Sequence, residues 1–268
     1  MSNFQSAPAG AIRTHVDGSV GWLVIDNEPK RNALTLDMWK DLPRAVQQLD
    51  TDDAVRVIVV RGAGSMSFVA GADISEFEET RSTAELAKAY DKINVAAFKA
   101  LKHASKPTIA MIRGHCLGGG LGIALACDLR IAAIGSVFGI PAARLGIAYP
   151  LDAVGDILEA VGPMIAKQLL FTAERFEADA AARCGIVGEV TTDAQLDGRI
   201  RGLCATISNN APLTLKAGKS AINAIAGGSA PQDMVKAATA AEACFDSKDF
   251  EEGRNAFLEK RNPHFTGT

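Results

Sequence analysis

Residues 106–128 read KPTIAMIRGHCLGGGLGIALACD, and the order of residue types in this stretch decides the fold class. The apolar run at 107–113 has strand composition. Three consecutive glycines, Gly118-Gly119-Gly120, then open an apolar segment of helical length that runs to Ala126. Strand, bare-backbone turn and helix in succession form one half of a βαβ unit. The same alternation extends on both sides. Upstream, residues 55–60 (VRVIVV) are nearly all β-branched, as in a strand covered on both faces. Before them lie the strand 20–26 (VGWLVID) and a helix over 35–49, with apolar residues at Leu36, Trp39, Leu42, Val46 and Leu49 and a proline, Pro43, that kinks it or shifts its start. A long helix is predicted from Thr83 to His103. Downstream, 129–134 and 137–140 read as strands. From Asp152 onward the segments read as helices except 186–191. The fold class is α/β with mainly parallel strands, closed by helices.

Composition narrows the function classes. The 268 residues carry a net charge of −3, which gives no reason to expect nucleic acid or an anionic membrane as partner. No run approaches the ~20 apolar residues of a membrane span, and the first residues lack a signal-peptide core. Five cysteines, at 116, 127, 184, 204 and 244, form no C-x-x-C pair. They read as reduced thiols of a cytoplasmic protein, and no metal site is expected. Residues 1–10 read as a frayed tail, 11–195 as the core carrying the site, and 196–268 as a helical region suited to packing or oligomer contacts. The 25 glycines suit close backbone approach and a site lined by main chain.

The glycine triplet fits none of the phosphate-binding templates. No G-x-x-x-x-G-K-[ST] is present, and position 123 is Ile where G-x-G-x-x-G needs Gly. No G-x-S-x-G or H-E-x-x-H occurs, and the histidines at 15, 103, 115 and 264 have no catalytic spacing; His103 flanks a helix end and His115 follows the turn at Gly114. Two bare loops remain, Ala70-Gly71-Ala72 and Gly118-Gly119-Gly120, each following a strand. In a parallel sheet both fall on the carboxyl edge, where ligands of open α/β sheets bind. Two N–H groups from two loops can hold one oxygen that gains negative charge, and losing one such donor costs about 3 kcal/mol. The alternative is that the glycines only permit close helix packing, and spacing does not choose between the two.

Several collinear segments resemble one family: Asn27-Glu28-Pro29-Lys30-Arg31-Asn32-Ala33-Leu34, Ala70-Gly71-Ala72-Asp73-Ile74, Lys106 through the triplet to Asp128, then Phe138-Gly139-Ile140-Pro141, Leu145-Gly146-Ile147, Phe171-Thr172-Ala173 and Gly185-Ile186-Val187. Over residues 12–265 the chain is similar to the enoyl-CoA hydratase/isomerase, or crotonase-like, family. The resemblance implies a spiral of ββα units with a C-terminal helical trimerisation region, a homotrimer or dimer of trimers, and a coenzyme A thioester as substrate with no permanently bound cofactor. It implies an oxyanion hole whose N–H donors map onto Ala70 and Gly119. It places CoA along Lys30, Arg31 and Ala33 and along Ala70, Gly71, Ala72 and Asp73. Phe257 and Lys260 look like the residues that a neighbouring subunit's last helix adds to the nucleotide end.

The chain departs from the family pattern at the acid–base positions. Hydratases of the family carry two glutamates where this chain has Gly122 and Ala142. Neither replacement moves protons, so efficient hydration of an enoyl thioester is not expected. Tyr149 stands where the family's loop faces the thioester, and this segment resembles the methylmalonyl-CoA decarboxylase branch, which also lacks both glutamates. That branch has a histidine where this chain has Ala72. Tyr149 therefore reads either as a proton donor in a malonyl-type decarboxylase or as an aromatic packed against the CoA arm. A non-catalytic acyl-CoA-binding protein is a third reading. Asp152 reads as a helix N-cap, Glu76 as a solvated helix face, and Asp73 and Asp128 as loop anchors.

Overall fold

The computed structural model describes residues 10–228 and 230–268, so the tail expected over residues 1–10 lies outside them except for Gly10, whose N–H donates to Asp26 O at 2.9 Å. The chain opens with the antiparallel hairpin β1 (Ala11–Asp17) and β2 (Val20–Asp26), followed by α1 (Leu36–Thr51). Three turns of a common unit come next. The first has β3 (Val57–Gly62), β4 (Ser67–Val69), α2 (Phe77–Arg81) and α3 (Ala84–Lys102). The second has β5 (Thr108–Ile112), β6 (His115–Leu117) and α4 (Gly119–Ala126). The third has β7 (Leu129–Ala133), β8 (Val137–Gly139) and α5 (Leu151–Thr172). In each turn the first strand joins one sheet and the second strand another. This produces a six-stranded sheet ordered β1-β2-β3-β5-β7-β10 and a four-stranded sheet ordered β4-β6-β8-β9, with β9 at Phe176–Glu177 and β10 at Glu189–Thr191. The short α6 (Ala178–Arg183) links these last two strands, and α7 (Asp193–Ser208), α8 (Pro212–Ala226), α9 (Pro231–Phe245) and α10 (Lys248–Glu259) complete the chain. The arrangement is the α/β spiral of ββα units.

The apolar run of β3 is continuous because both faces of its sheet are covered. Ile58 and Val60 face the main core with Trp39, Leu42 and Phe98, whereas Val57 and Val59 face a second core built with Leu196, Ile200 and Cys204 of α7. The same alternation splits Ala110 and Ile112 from Ile109 and Met111 on β5. The boundary expected at 195/196 therefore falls inside a helix that belongs to the sheet's second layer. Asp128 anchors this layer: it accepts from Thr108 N at 2.7 Å and Thr108 Oγ1 at 2.9 Å, and it pairs with Lys219 of α8 at 2.8 Å. The helices α8 to α10 leave Ile222, Ile225, Val235, Phe245, Phe257 and Leu258 more than half exposed. No helix among the described residues is long and apolar enough to cross a membrane. All five cysteines are unpaired.

The structure alters several sequence expectations for identifiable reasons. Pro43 leaves α1 unbroken; the helix starts at Leu36 behind Thr35, whose hydroxyl accepts from Met38 N at 3.3 Å. Of the strand expected over 186–191, only the last three residues pair, against Ile131, Ala132 and Ala133. The strands β4 and β6 are absent from the expected strands, and β9 falls where the sequence reads as helix, because two or three residues display no periodicity. Helix α5 is kinked at Gly162, φ +71, ahead of Pro163.

Candidate active site

Asn32 organises the first loop of the site. It is buried, with φ +58. Its amide donates to Ala63 O at 3.0 Å and Ser67 O at 2.8 Å and accepts from Asn27 N at 3.1 Å. The loop so fixed presents Arg31 O and Leu34 to the loop after β4. Ala70 N–H donates to Arg31 O at 3.1 Å, so it is already engaged within the protein. Leu34 N donates to Gly71 O at 2.9 Å and Asp73 N to Leu34 O at 2.8 Å. This parallel bridge turns the N–H of Ala72 away from Leu34. Ala72 N–H has no hydrogen-bond partner among the described residues and Ala72 lines the adjacent cavity. Ala70, expected as the first donor, thus has its N–H engaged with Arg31 O, whereas the N–H groups of Gly71 and Ala72 have no hydrogen-bond partner among the described residues and both residues line the cavity.

Gly119, the other expected donor, lies at the start of α4 and lines the same cavity. Gly118 N–H donates to Gly139 O at 2.8 Å, which holds the turn, and Gly119 is the first residue of α4. A first-turn N–H has no partner within its helix and carries the positive end of the dipole. The turn demands glycine by proximity. A Cβ on Gly119 would lie 2.8 Å from Trp39 Cζ2, and one on Gly120 would run into the carbonyl of Val69. The close-packing reading of the triplet holds, and that packing places Gly119 at the cavity wall.

Ala72 and Gly119 share a cavity whose other lining residues are largely apolar, among them Trp39, Phe77, Phe98, Ile140, Leu145 and Ile147. No glutamate lines it among the described residues. Gly122 is buried beneath Phe98, and a Cβ there would lie 2.6 Å from Phe98 Cζ. Phe98 is fixed in that place by an edge-to-face contact with Trp39, at 5.6 Å between centroids and 89° between planes. Ala142 lines the cavity from the turn Pro141–Leu145.

Tyr149 also lines the cavity and makes no hydrogen bond among the described residues. Burial pushes its phenol far above the ordinary range, with the nearby Arg81 partly opposing the shift. It is protonated at neutral pH, a proton donor rather than a base. Glu76 lies in a short helical turn but is not a solvated face: it is half-buried, its carboxylate accepts from Leu36 N at 2.7 Å at the start of α1, and it does not line the cavity. Asp152 is not a cap: α5 is preceded by Pro150, and Asp152 in its first turn pairs with Lys99 at 2.8 Å.

The CoA-binding candidates divide in two. Lys30 pairs with buried Asp73 at 2.6 Å and reaches Ser75 Oγ at 3.0 Å, which ties the first loop to the second; Lys30 and two Ser75 bonds hold the Asp73 carboxyl below its usual range against the effect of burial. Arg31 is exposed with φ +54, and Ala33 is buried. Phe257, 83% exposed, and Lys260 lie on and just after α10, and neither lines the cavity of its own chain.

Three polar residues that sequence reasoning missed also line the cavity: Arg81, Asp91 and Asn94. Arg81 Nη2 lies 3.3 Å from Asp91 Oδ1, and its guanidinium stacks over the Tyr90 ring at 4.3 Å. Burial pushes the Asp91 carboxyl up, partly offset by Arg81. Asn94 was detectable, since it interrupts the apolar face of α3 between Tyr90 and Phe98 at four-residue spacing. Because Phe98 occupies the space beside Gly122, Gly122→Glu alone is expected to lower stability by about 1–3 kcal/mol, as overpacked cores do. Adding Phe98→Ala should recover part of that loss, and urea denaturation of both variants measures it.

The comparisons with known proteins show the family and the fold. The family model described as enoyl-CoA hydratase/isomerase matches residues 16–268. The chain is 36% identical to the short-chain-enoyl-CoA hydratase of Clostridium acetobutylicum over 91% of its own length and 93% of that protein. It is also 36% identical to the crotonyl-CoA hydratase of Syntrophomonas wolfei, over 89% and 92% of the two chains. Among solved structures, an enoyl-CoA hydratase/carnitine racemase from Magnetospirillum magneticum superposes with a TM-score of 0.89 at 32% identity, covering 99% of this chain and 98% of that one. A chain with this spiral, this two-loop cavity and a family match over nearly its whole length belongs to the enoyl-CoA hydratase/isomerase family.

Proposed function

We propose that this protein binds an acyl-CoA thioester with the thioester oxygen between the N–H groups of Ala72 and Gly119, where they stabilise the negative charge of an enolate. The observation that carries the proposal is that two unpartnered main-chain donors from separate loops line one cavity. CoA enters as part of the substrate, along the Lys30–Asp73 junction of the two loops. Gly122, buried beneath Phe98, and Ala142, on the cavity wall, stand where the hydratase pattern calls for glutamates. Addition of water needs an acid and a base beside the α,β bond, and the one carboxylate lining the cavity among the described residues, Asp91, is paired with Arg81. Hydration of an enoyl thioester is therefore a poor use of this site.

Tyr149 favours a second, narrower reading, decarboxylation of a malonyl-type thioester. The bond between the α-carbon and the carboxylate breaks, carbon dioxide leaves, and the electron pair becomes the enolate held by Ala72 and Gly119. The protonated Tyr149 phenol then delivers a proton to the α-carbon and is itself reprotonated from solvent. A protein that binds acyl-CoA without chemistry is the remaining alternative, and it predicts binding of thioesters with turnover of none.

The apolar surface of α8 to α10 supports a homotrimer or dimer of trimers, with Phe257 and Lys260 reaching the nucleotide end of a neighbour's site. Sedimentation should give a mass of three or six chains, and a monomer at working concentration would contradict the assembly.

Turnover assays separate the chemical readings. Crotonyl-CoA hydration is expected about 10⁴-fold or more below that of a glutamate-bearing hydratase, since each positioned acid–base group contributes about 10²–10⁴-fold. A hydratase-like rate would overturn this. Carbon dioxide release from methylmalonyl-CoA is expected to fall by about 10²-fold or more in Tyr149→Phe, and an unchanged rate would remove Tyr149 from the reaction.

A further inference from the structure

The cavity has a mouth and a floor, and burial tells them apart. Ile74, Pro141, Leu145 and Ala148 line it and are exposed, whereas Trp39, Phe98, Ile140 and Ala153 line it and are buried. Ala72 and Gly119 are half-buried, between the two ends. A thioester whose oxygen lies at these two donors, with its CoA arm leaving through the mouth, carries its acyl carbons toward the buried end. Phe98, 4% exposed, stands there, one turn of α4 beyond Gly119. The position of a Cβ on Gly122 lies 2.6 Å from its Cζ. On its other side Trp39, whose ring lies against the Gly119 backbone, meets it edge to face at 5.6 Å. The Phe98 ring is thus wedged between α1 and α4, in a close-packed setting that leaves it no space to swing into.

On the reading that the cavity takes an acyl-CoA thioester, we infer that the Phe98 ring is the floor of the acyl subsite and that residue 98 sets the length of acyl chain accepted. The cavity holds about 110 Å³. An apolar cavity of about 150 Å³ takes benzene, so this one takes an acyl group of about four or five carbons. Each methylene that enters the buried end gains about fourfold in affinity by leaving water. A methylene that the floor stops stays at the mouth and gains nothing. Truncating Phe98 removes the floor and adds the ring's own volume to the buried end, beside Gly122. The ring that leaves no room for a side chain at 122 is, on this account, also the ring that selects a short acyl group.

Calorimetric titration of the full-length protein with straight saturated acyl-CoAs, from acetyl-CoA to decanoyl-CoA, tests this in the wild type, Phe98→Ala and Phe98→Leu. Wild-type affinity should rise about fourfold per methylene as far as butyryl- or valeryl-CoA and then level off. In Phe98→Ala the rise should continue to octanoyl-CoA, which should bind at least about tenfold more tightly than it does to the wild type, with acetyl-CoA affinity changed by less than about twofold. Phe98→Leu, which keeps most of the apolar volume, should move the break by one or two carbons and carries the test if Phe98→Ala does not fold. A wild-type affinity that climbs steadily to decanoyl-CoA would overturn the floor while leaving the acyl-CoA reading intact. A break at the wild-type length in the folded variants would remove Phe98 as its cause. Binding of no thioester at any length would instead overturn the acyl-CoA reading itself, and the floor with it.

Discussion

The Gly119 side of this site follows from how closely the start of α4 approaches its neighbours. Glycine at 119, 120 and 122 lets the helix lie against Trp39, the Val69 carbonyl and Phe98 at distances that a Cβ would forbid. That approach carries the free N–H of Gly119 into the cavity beside the free N–H of Ala72. It also fills, with the ring of Phe98, the space in which a side chain at 122 would have to project. One packing constraint thus places Gly119 at the cavity and leaves no room for a side chain at position 122. Large buried rings hold the arrangement, since Trp39 touches both the Gly119 backbone and the edge of Phe98.

The orientation of the Ala72 N–H depends on a different device. The loop after β4 is held by a single parallel bridge to Leu34, and in such a bridge alternate peptide groups face opposite sides. Ala70 N–H donates to Arg31 O and Gly71 O accepts from Leu34 N, while Ala72 lines the cavity. The Lys30–Asp73 ion pair, with Asp73 also accepting from Ser75, clamps the two loops together at the end of this bridge. The loops are therefore preorganised as a unit, which is what a site that stabilises charge through fixed dipoles requires.

How far the sequence disclosed this can be followed residue by residue. The strands with strong period or continuous β-branching, such as 57–60, were legible because two cores impose that pattern from opposite faces. The three-residue strands of the smaller sheet were not, because their register is set by neighbours distant in the chain. Gly119 was legible, since a glycine run at a helix start exposes N–H groups whatever surrounds it. The choice of Ala72 over Ala70 was not, because it rests on which way peptide planes face in a bridge to Leu34, thirty-eight residues earlier in the chain. The polar group of Arg81, Asp91 and Asn94 was obscured by its setting on two helices that read as ordinary solvent-facing and core-facing surface; only Asn94, polar within an apolar stripe, betrayed it.

The claim on which the account stands is that Ala72 and Gly119 together hold the thioester oxygen. A structure of the protein with a bound acyl-CoA measures this directly. The account predicts the oxygen within hydrogen-bond distance, about 2.7–3.1 Å, of both nitrogens, with Ala70 N–H still bonded to Arg31. A thioester oxygen bound elsewhere, or held by Ala70 after its bond to Arg31 breaks, would contradict it.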